Sequence, residues 1–359
     1  MKKIKLVVSD FHLGKGHILP DGSLNIFEEF YYDDKFIEFL EYYSTGSFSE
    51  TDVELIINGD FLNLLQTDYK GHFTTVLTES IDLHKVKTII DGHRAVFEAL
   101  RQFALLPNKR ISYIVGNHDQ GMLWPKTREY LDEVCQSRIN FKNIVYYFDG
   151  IHIEHGHQHE AANRINPKKF FLKQDLPEPI LNLPWASFFF VNFVLKIKEQ
   201  MPYVDKVRPF HAFIRWSLVN DFVFSVRTIA KLIWHFFIKG FHRDRHRQFS
   251  IRNSLQIVKE SAIFPDLEHS ARKILADDRV HTVIFGHTHV YLYRQWGNNK
   301  EYLNTGTWTE LTSLDIASLG KITKLTYCLI DYPLEGGRPR ARLKEWKGHY
   351  RIEIDVAVA

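Results

Sequence analysis

The sequence predicts an α/β fold whose strand ends carry a shared polar site, with a helical subdomain inserted at 161–261, in the middle of the chain. Three observations predict it. Short apolar runs closed by turn formers recur at 3–9, 55–58, 111–115 and 280–285, as buried strands do. Helical spacing fills 26–43 and 81–105 between them. The stretch 160–261 differs in kind, with seventeen Lys and Arg against eight Asp and Glu and a dense set of aromatics.

At 359 residues and 45% hydrophobic, the chain has ample material for a core and is long for one domain. Its two cysteines, Cys135 and Cys328, match no metal spacing. A reducing, cytoplasmic setting therefore fits better than a disulfide framework. The basic N-terminus is interrupted by Lys5 and closed by Asp10, so it reads as a first strand rather than a signal peptide. A net charge of +3 gives no global basic field, and no nucleic-acid partner is expected.

The first strand, 3–9, ends at Asp10-Phe11-His12, where alternation aims Asp10 and His12 the same way. The run L-I-I-N-G-D breaks at Gly59 and leaves Asp60 at the carboxyl edge of a sheet, where α/β folds bind ligands. Residues 111–115 lead into Gly116-Asn117-His118-Asp119. Runs at 144–148 and 151–154 alternate across Asp149-Gly150, a hairpin signal. The second of these enters His155-Gly156-His157-Gln158-His159. Residues 280–285 end in Gly286-His287-Thr288-His289, followed by a turn at Asn304-Thr305-Gly306-Thr307-Trp308. Residues 321–331 and 340–357 alternate like antiparallel strands.

Together these ends supply Asp10, His12, Asp60, Asn117, His118, His155, His287 and His289. Carboxylate, amide and imidazole ligands suit Mn, Fe or Zn, and the absence of cysteine ligands argues against structural zinc. There are too many ligands for one ion. Two ions sharing Asp60, roughly 3.5–4 Å apart, would clamp a phosphate and lower the pKa of a water between them.

At D-F-H, G-D, G-N-H-D, H-G-H and G-H-T-H the chain resembles the calcineurin-like metallophosphoesterase superfamily, in that family's order, over about 1–160 and 278–310. The resemblance implies a two-sheet β-sandwich flanked by helices, with two divalent metals, Mn foremost, at the strand ends. By motif position Asp10, His12 and His289 would join Asp60 on the first ion, and Asn117, His155 and His287 would join it on the second. His118 would stand beside the leaving group and Asp119 would orient its imidazole. Within the superfamily, the opening D-F-H-L-G, the segment from G-H-T-H to N-T-G-T-W and the aromatic, basic insert look like the UDP-2,3-diacylglucosamine pyrophosphatase branch of lipid A synthesis. The chain departs from that branch at His118 and His157.

Residues 161–261 read as an inserted subdomain with helices near 184–199 and 210–239, leading back to the core through 255–275. Its aromatic stripes run into Arg243, Arg245 and Arg247, a pairing suited to an acyl chain or an anionic membrane surface. The apolar run 181–197 contains Asn182, Pro184 and Asn192 and falls short of the roughly 20 residues that span a membrane. The reading that results is a phosphoesterase for a phosphodiester or pyrophosphate, peripheral at the membrane. A soluble-nucleotide or phosphoprotein hydrolase, or a nuclease of the same superfamily, is the alternative.

Overall fold

A computed structural model describes residues 2–202, 267–297, 299–314 and 319–348, with scattered positions over 204–231. Arg243, Arg245, Arg247 and most of the helix expected over 210–239 lie outside the described residues.

The first sheet grows from β1 (Lys3–Val8). Across a loop and helix α1 (Asp33–Tyr42), β2 (Asp52–Asn58) pairs with it in parallel. Helices α2 (Glu79–Gly92) and α3 (Arg94–Ala104) lead to β3 (Lys109–Ile114), and α4 (Pro125–Cys135) leads to β4 (Asn140–Lys142), both again parallel. The second sheet begins with the hairpin β5 (Val145–Phe148) and β6 (Ile151–Glu154). Then follow the two-residue strands β7 (Phe171–Leu172) and β8 (Ile180–Leu181), the helical pieces α5 (Trp185–Phe189) and α6 (Leu195–Lys198), and β9 (Val207–Arg208). Helix α7 (Leu267–Leu275) returns the chain to β10 (Thr282–Phe285), β11 (Leu292–Trp296) and β12 (Lys300–Asn304), which complete the second sheet. Strands β13 (Leu311–Ser313) and β14 (Gly320–Ile322) join β9 in a small sheet. Strand β15 (Leu325–Asp331) pairs antiparallel with β1, and β16 (Arg340–Trp346) pairs antiparallel with β15 at the edge of the first sheet.

The fold is a two-sheet β-sandwich flanked by helices, and the apolar runs are continuous because both faces of each central strand are covered. Val7, Ile56 and Ile114 meet Ile153, Ile284 and Leu303 between the sheets. Their neighbours Leu6, Val8, Leu55 and Ile57 turn outward onto Phe36, Phe39, Val96 and Leu100 of α1 and α3. Val283, Phe285 and Tyr302 cover the outer face of the second sheet beneath Leu267, Ala271 and Leu275 of α7. Parallel strands share one direction, so β1, β2 and β3 release their chains at one edge. Strands β6 and β10 likewise release theirs at one edge of the second sheet.

Several expected elements differ. The helix expected over 26–43 begins only at Asp33. The Glu28 carboxylate accepts the backbone N–H groups of Gly14, Gly16 and Phe30 at 3.1, 2.8 and 3.1 Å, and so holds that stretch as a loop. The single helix expected over 81–105 breaks at His93, with φ −122° and ψ 39°. There Gly92 packs on the loop after β1 so closely that a Cβ would come within 2.3 Å of the Lys15 carbonyl oxygen. The strand expected over 321–331 is divided between β14 and β15. Between α5 and α6 the chain widens into a π-helical turn, Phe190–Val194, a feature frequent at functional sites. Val191 and Leu195 pack this helix onto Leu65.

Candidate metal centre

The ladder between β1 and β2 continues past the strands. Asp10 N–H donates to Gly59 O at 3.2 Å, His12 N–H to Asp60 O at 2.9 Å and Leu13 N–H to Phe61 O at 2.9 Å. The loops carrying D-F-H and G-D are thereby zipped side by side. Phe11 points the other way and anchors its loop, stacked on Trp308 with centroids 4.7 Å apart. Asp10, His12, Asp60, His287 and His289 hold φ of 56°, 54°, 52°, 71° and 62°. Left-handed backbone in non-glycine residues costs energy and gathers at functional sites. Gly59, with φ 79°, has no such cost, and a Cβ there would lie 2.6 Å from the His155 ring.

These turns bring the expected ligands together. His12 Nε2 lies 3.0 Å from His289 Nε2 and 3.9 Å from Asp10 Oδ1, and His289 Nε2 lies 3.4 Å from the same oxygen. Asp60 Oδ2 lies 3.1 Å from His155 Nε2 and 3.9 Å from His12 Nε2. Among the described residues, three groups could hold a metal ion, the ligand atoms of each within 4.8 Å of one another. These are Asp10, His12 and His289; Asp60, His155 and His287; and His12, Asp60 and His118. Asp60 is shared by two of them.

The donor set fits divalent ions on a further ground. Asn117 Oδ1 is buried without a hydrogen-bond partner among the described residues, a costly state for a polar atom unless something binds it. His155 Nδ1 meets the Asn58 carbonyl at 2.8 Å, and His287 Nε2 meets Glu160 Oε2 at 2.9 Å. Partners of this kind fix the ring of a ligating histidine. His157, buried beside His155, has both ring nitrogens without a hydrogen-bond partner among the described residues.

Burial would raise the Asp60 pKa, but His155 and His118 hold it well below the usual carboxylate range. Burial opposes the charged form of His155, yet Asp60 and Asp10 carry its pKa up to about 10. Burial, with help from His118, brings His12 down to about 3. It also lowers His118, against the upward pull of Asp60 and Glu29.

One expected role is corrected. Asp119 does not touch the His118 imidazole. Its carboxylate accepts from Tyr113 Oη at 2.6 Å and from the backbone N–H groups of Gly116 and Phe61 at 2.6 and 3.0 Å. It therefore shapes the G-N-H-D turn itself. The ring partner is Asn63, whose Oδ1 lies 2.9 Å from His118 Nδ1. His118 N–H donates to Asp60 Oδ1 at 2.8 Å, which swings the imidazole over the cleft. That cleft, about 260 Å³, is lined by His12, Asp60, Asn117 and His118 and walled by Leu65, Phe189 and Phe190, with Glu29 and Lys206 at its side. Asn63, Glu29, Glu160 and Lys206 escaped the sequence reading. Only Asn63, three residues after Asp60, had a local signal.

No family model matches the chain, and no curated protein matches it. Among solved structures it is similar to a conserved uncharacterized protein and predicted phosphoesterase of Streptococcus pneumoniae TIGR4, at 10% identity and TM-score 0.33 over 99% of this chain and 95% of that one. A dimetal phosphatase from Danio rerio matches at 8% identity and TM-score 0.33, over 96% and 98%. Wild-type Vps29 complexed with zinc from Entamoeba histolytica matches at 12% and 0.25, over 96% and 99%.

Proposed function

We propose that the protein is a phosphoesterase using two divalent ions. The observation that carries this reading is the convergence of Asp10, His12 and His289 with Asp60, His155 and His287 at the strand ends, beside the buried Asn117 Oδ1, which has no hydrogen-bond partner among the described residues. Asp10, His12, His289 and Asp60 would hold one ion, and Asp60, Asn117, His155 and His287 the other. Bound there, the ions would supply positive charge to the phosphate oxygens and lower the pKa of an attacking water. The chain's own groups do the rest. Asp60 keeps its carboxylate ionised at neutral pH, and the backbone hydrogen bond from His118 holds one of its oxygens. His118 presents Nε2 to the cleft, where a leaving oxygen would take its proton. Leu65, Phe189 and Phe190 keep one wall of the cleft apolar.

We further infer a phosphodiester or pyrophosphate whose remainder is partly apolar, as in a lipid-bearing sugar nucleotide. The aromatic wall supports this, as do Val219, Phe222, Val223 and Val226, all exposed at helical spacing. No helix among the described residues is long and apolar enough to cross a membrane. Protein reconstituted with Mn, Fe or Zn should hydrolyse phosphodiesters or pyrophosphates in a substrate panel, and faster when an acyl group is attached. Inactivity with every metal and ester would overturn the phosphoesterase reading. Equal rates on acylated and plain nucleotides, with no sedimentation on anionic liposomes that depends on Arg243, Arg245 and Arg247, would remove the lipid part alone.

A further inference from the structure

Beside the strand ends, the cleft borders a buried polar cluster that the metal centre does not require. Lys198, the last residue of α6, is fully buried. Its Nζ donates to Glu29 Oε1 at 2.5 Å and to Gln66 Oε1 at 2.7 Å. The other oxygen of Glu29 accepts from Asn63 Nδ2 at 3.4 Å. Asn63 Oδ1 accepts from the Gln66 backbone N–H at 3.3 Å and faces His118 Nδ1 at 2.9 Å.

The ends of this chain of bonds fix its direction. An ammonium only donates, a carboxylate only accepts and a backbone N–H only donates. The Asn63 amide therefore has its oxygen toward His118, and the hydrogen between them sits on Nδ1 of the imidazole. That leaves Nε2 as the nitrogen facing the cleft. The helix that supplies Lys198 meets the same ring a second time, through Phe190, whose centroid lies 5.2 Å away in an edge-on contact. Burial would push the Glu29 carboxyl up, but Lys198 and Lys206 hold it well below its usual range, so the carboxylate at the centre of the relay stays charged.

We propose that Glu29 and Lys198 are positioning residues which, through Asn63, hold His118 in the tautomer and orientation that turn Nε2 toward a substrate's leaving oxygen. This deepens the phosphoesterase reading and rests on it. In the step, the leaving P–O bond breaks as water's oxygen forms the new one. The acting form is the imidazolium of His118: the leaving oxygen takes its Nε2 proton, the proton released by the attacking water restores Nε2, and Nδ1 keeps its own throughout. The inserted helix thereby completes the site from outside the strand ends.

Removing Lys198 alone strands a buried carboxylate and destabilises the fold. The informative variants are Asn63→Leu and the neutral double change Lys198→Met with Glu29→Gln, each checked by elemental analysis for unchanged metal content. A positioned acid matters most where the leaving group is a poor one. Both variants should slow an alkyl phosphodiester by roughly tenfold or more and a bis-nitrophenyl ester far less. In a His118→Ala background they should add almost nothing, as members of one unit do. Nitrogen-15 NMR of histidine-labelled protein, with His118→Ala identifying the signal, should show a protonated Nδ1 in the wild type and its loss in Asn63→Leu. Equal slowing of both esters, additive losses beside His118→Ala, or an Nε2–H tautomer in the wild type would each overturn the relay. A wild type silent on every ester would instead overturn the phosphoesterase reading, and the ring signal alone would then decide the relay.

Discussion

Asp60 sits where the two candidate sets of ligands meet, and its two oxygens have different neighbours. Oδ1 takes the His118 backbone N–H at 2.8 Å, while Oδ2 lies between His155 and His12. Asp60→Asn keeps an acceptor for the backbone but removes the charge both ions would share. Both ions should then bind more weakly, and turnover should fall by on the order of a hundredfold or more. Full activity with two ions retained would show that the shared carboxylate is not needed. Gly59→Ala makes a complementary case, because its Cβ would strike the His155 ring on a backbone with φ 79°. The five left-handed candidate ligands explain why the strand-end residues were legible from sequence. Apolar strands closed by Asp, Asn and His are locally expensive, and the expense shows as an interruption of pattern. Asn63, Glu29 and Lys198 break no such pattern, and they meet only because β1, β2 and α6 pack together. Asp119 was misread for the same reason. Adjacency to His118 in the chain says nothing about which way its carboxylate turns.

At the scale of elements, the α2–α3 break shows how a side chain can outbid helical spacing. The apolar periodicity runs through 81–105, but His93 leaves the helix to meet Asp33 Oδ1 at 2.6 Å and Glu28 Oε2 at 3.3 Å. It thus ties the start of α1, the loop after β1 and the junction of two helices. Burial alone would lower the His93 pKa, yet the hydrogen bonds to Asp33 and Glu28 carry it up to about 9. An unfolded histidine titrates near about 6.5. The folded state therefore binds the extra proton between those values, and stability falls as pH rises through that window. The stabilisation is complete below about 6.5 and gone above about 9, with about 3 kcal/mol as an upper bound. His93→Gln should be less stable than wild type at pH 6 and lose less on going to pH 9.5, measured by urea midpoints. Parallel losses in the two proteins would assign the pH dependence elsewhere. The π-helical turn at Phe190–Val194 was equally illegible, since F-V-N-F-V has the composition of any amphipathic helix.

Across the whole molecule, the candidate ligands come from both sheets. Asp10, Asp60 and Asn117 follow β1, β2 and β3 of the first, and His155 and His287 follow β6 and β10 of the second. The sheets are joined through the apolar layer of Val7, Ile56, Ile284 and Leu303, which ends where the polar cluster begins. Ions held there would act as cross-links at the open end of the sandwich. Among the described residues Asn117 Oδ1 and the ring nitrogens of His157 have no hydrogen-bond partner beside these carboxylates and imidazoles. Any ion that binds the folded chain and not the unfolded one stabilises it, by about 2.7 kcal/mol at a hundredfold excess over its Kd. Chelated protein should therefore melt several degrees lower than protein resupplied with Mn or Zn, with activity lost and recovered in step. Since Asp60 belongs to both sets, its Asn variant should lose most of the metal-dependent rise in Tm. His118→Ala should keep that rise while losing turnover by roughly 10²–10⁴-fold. A melting temperature indifferent to chelator and metal, in protein that still turns over, would rule out a metal centre at the strand ends.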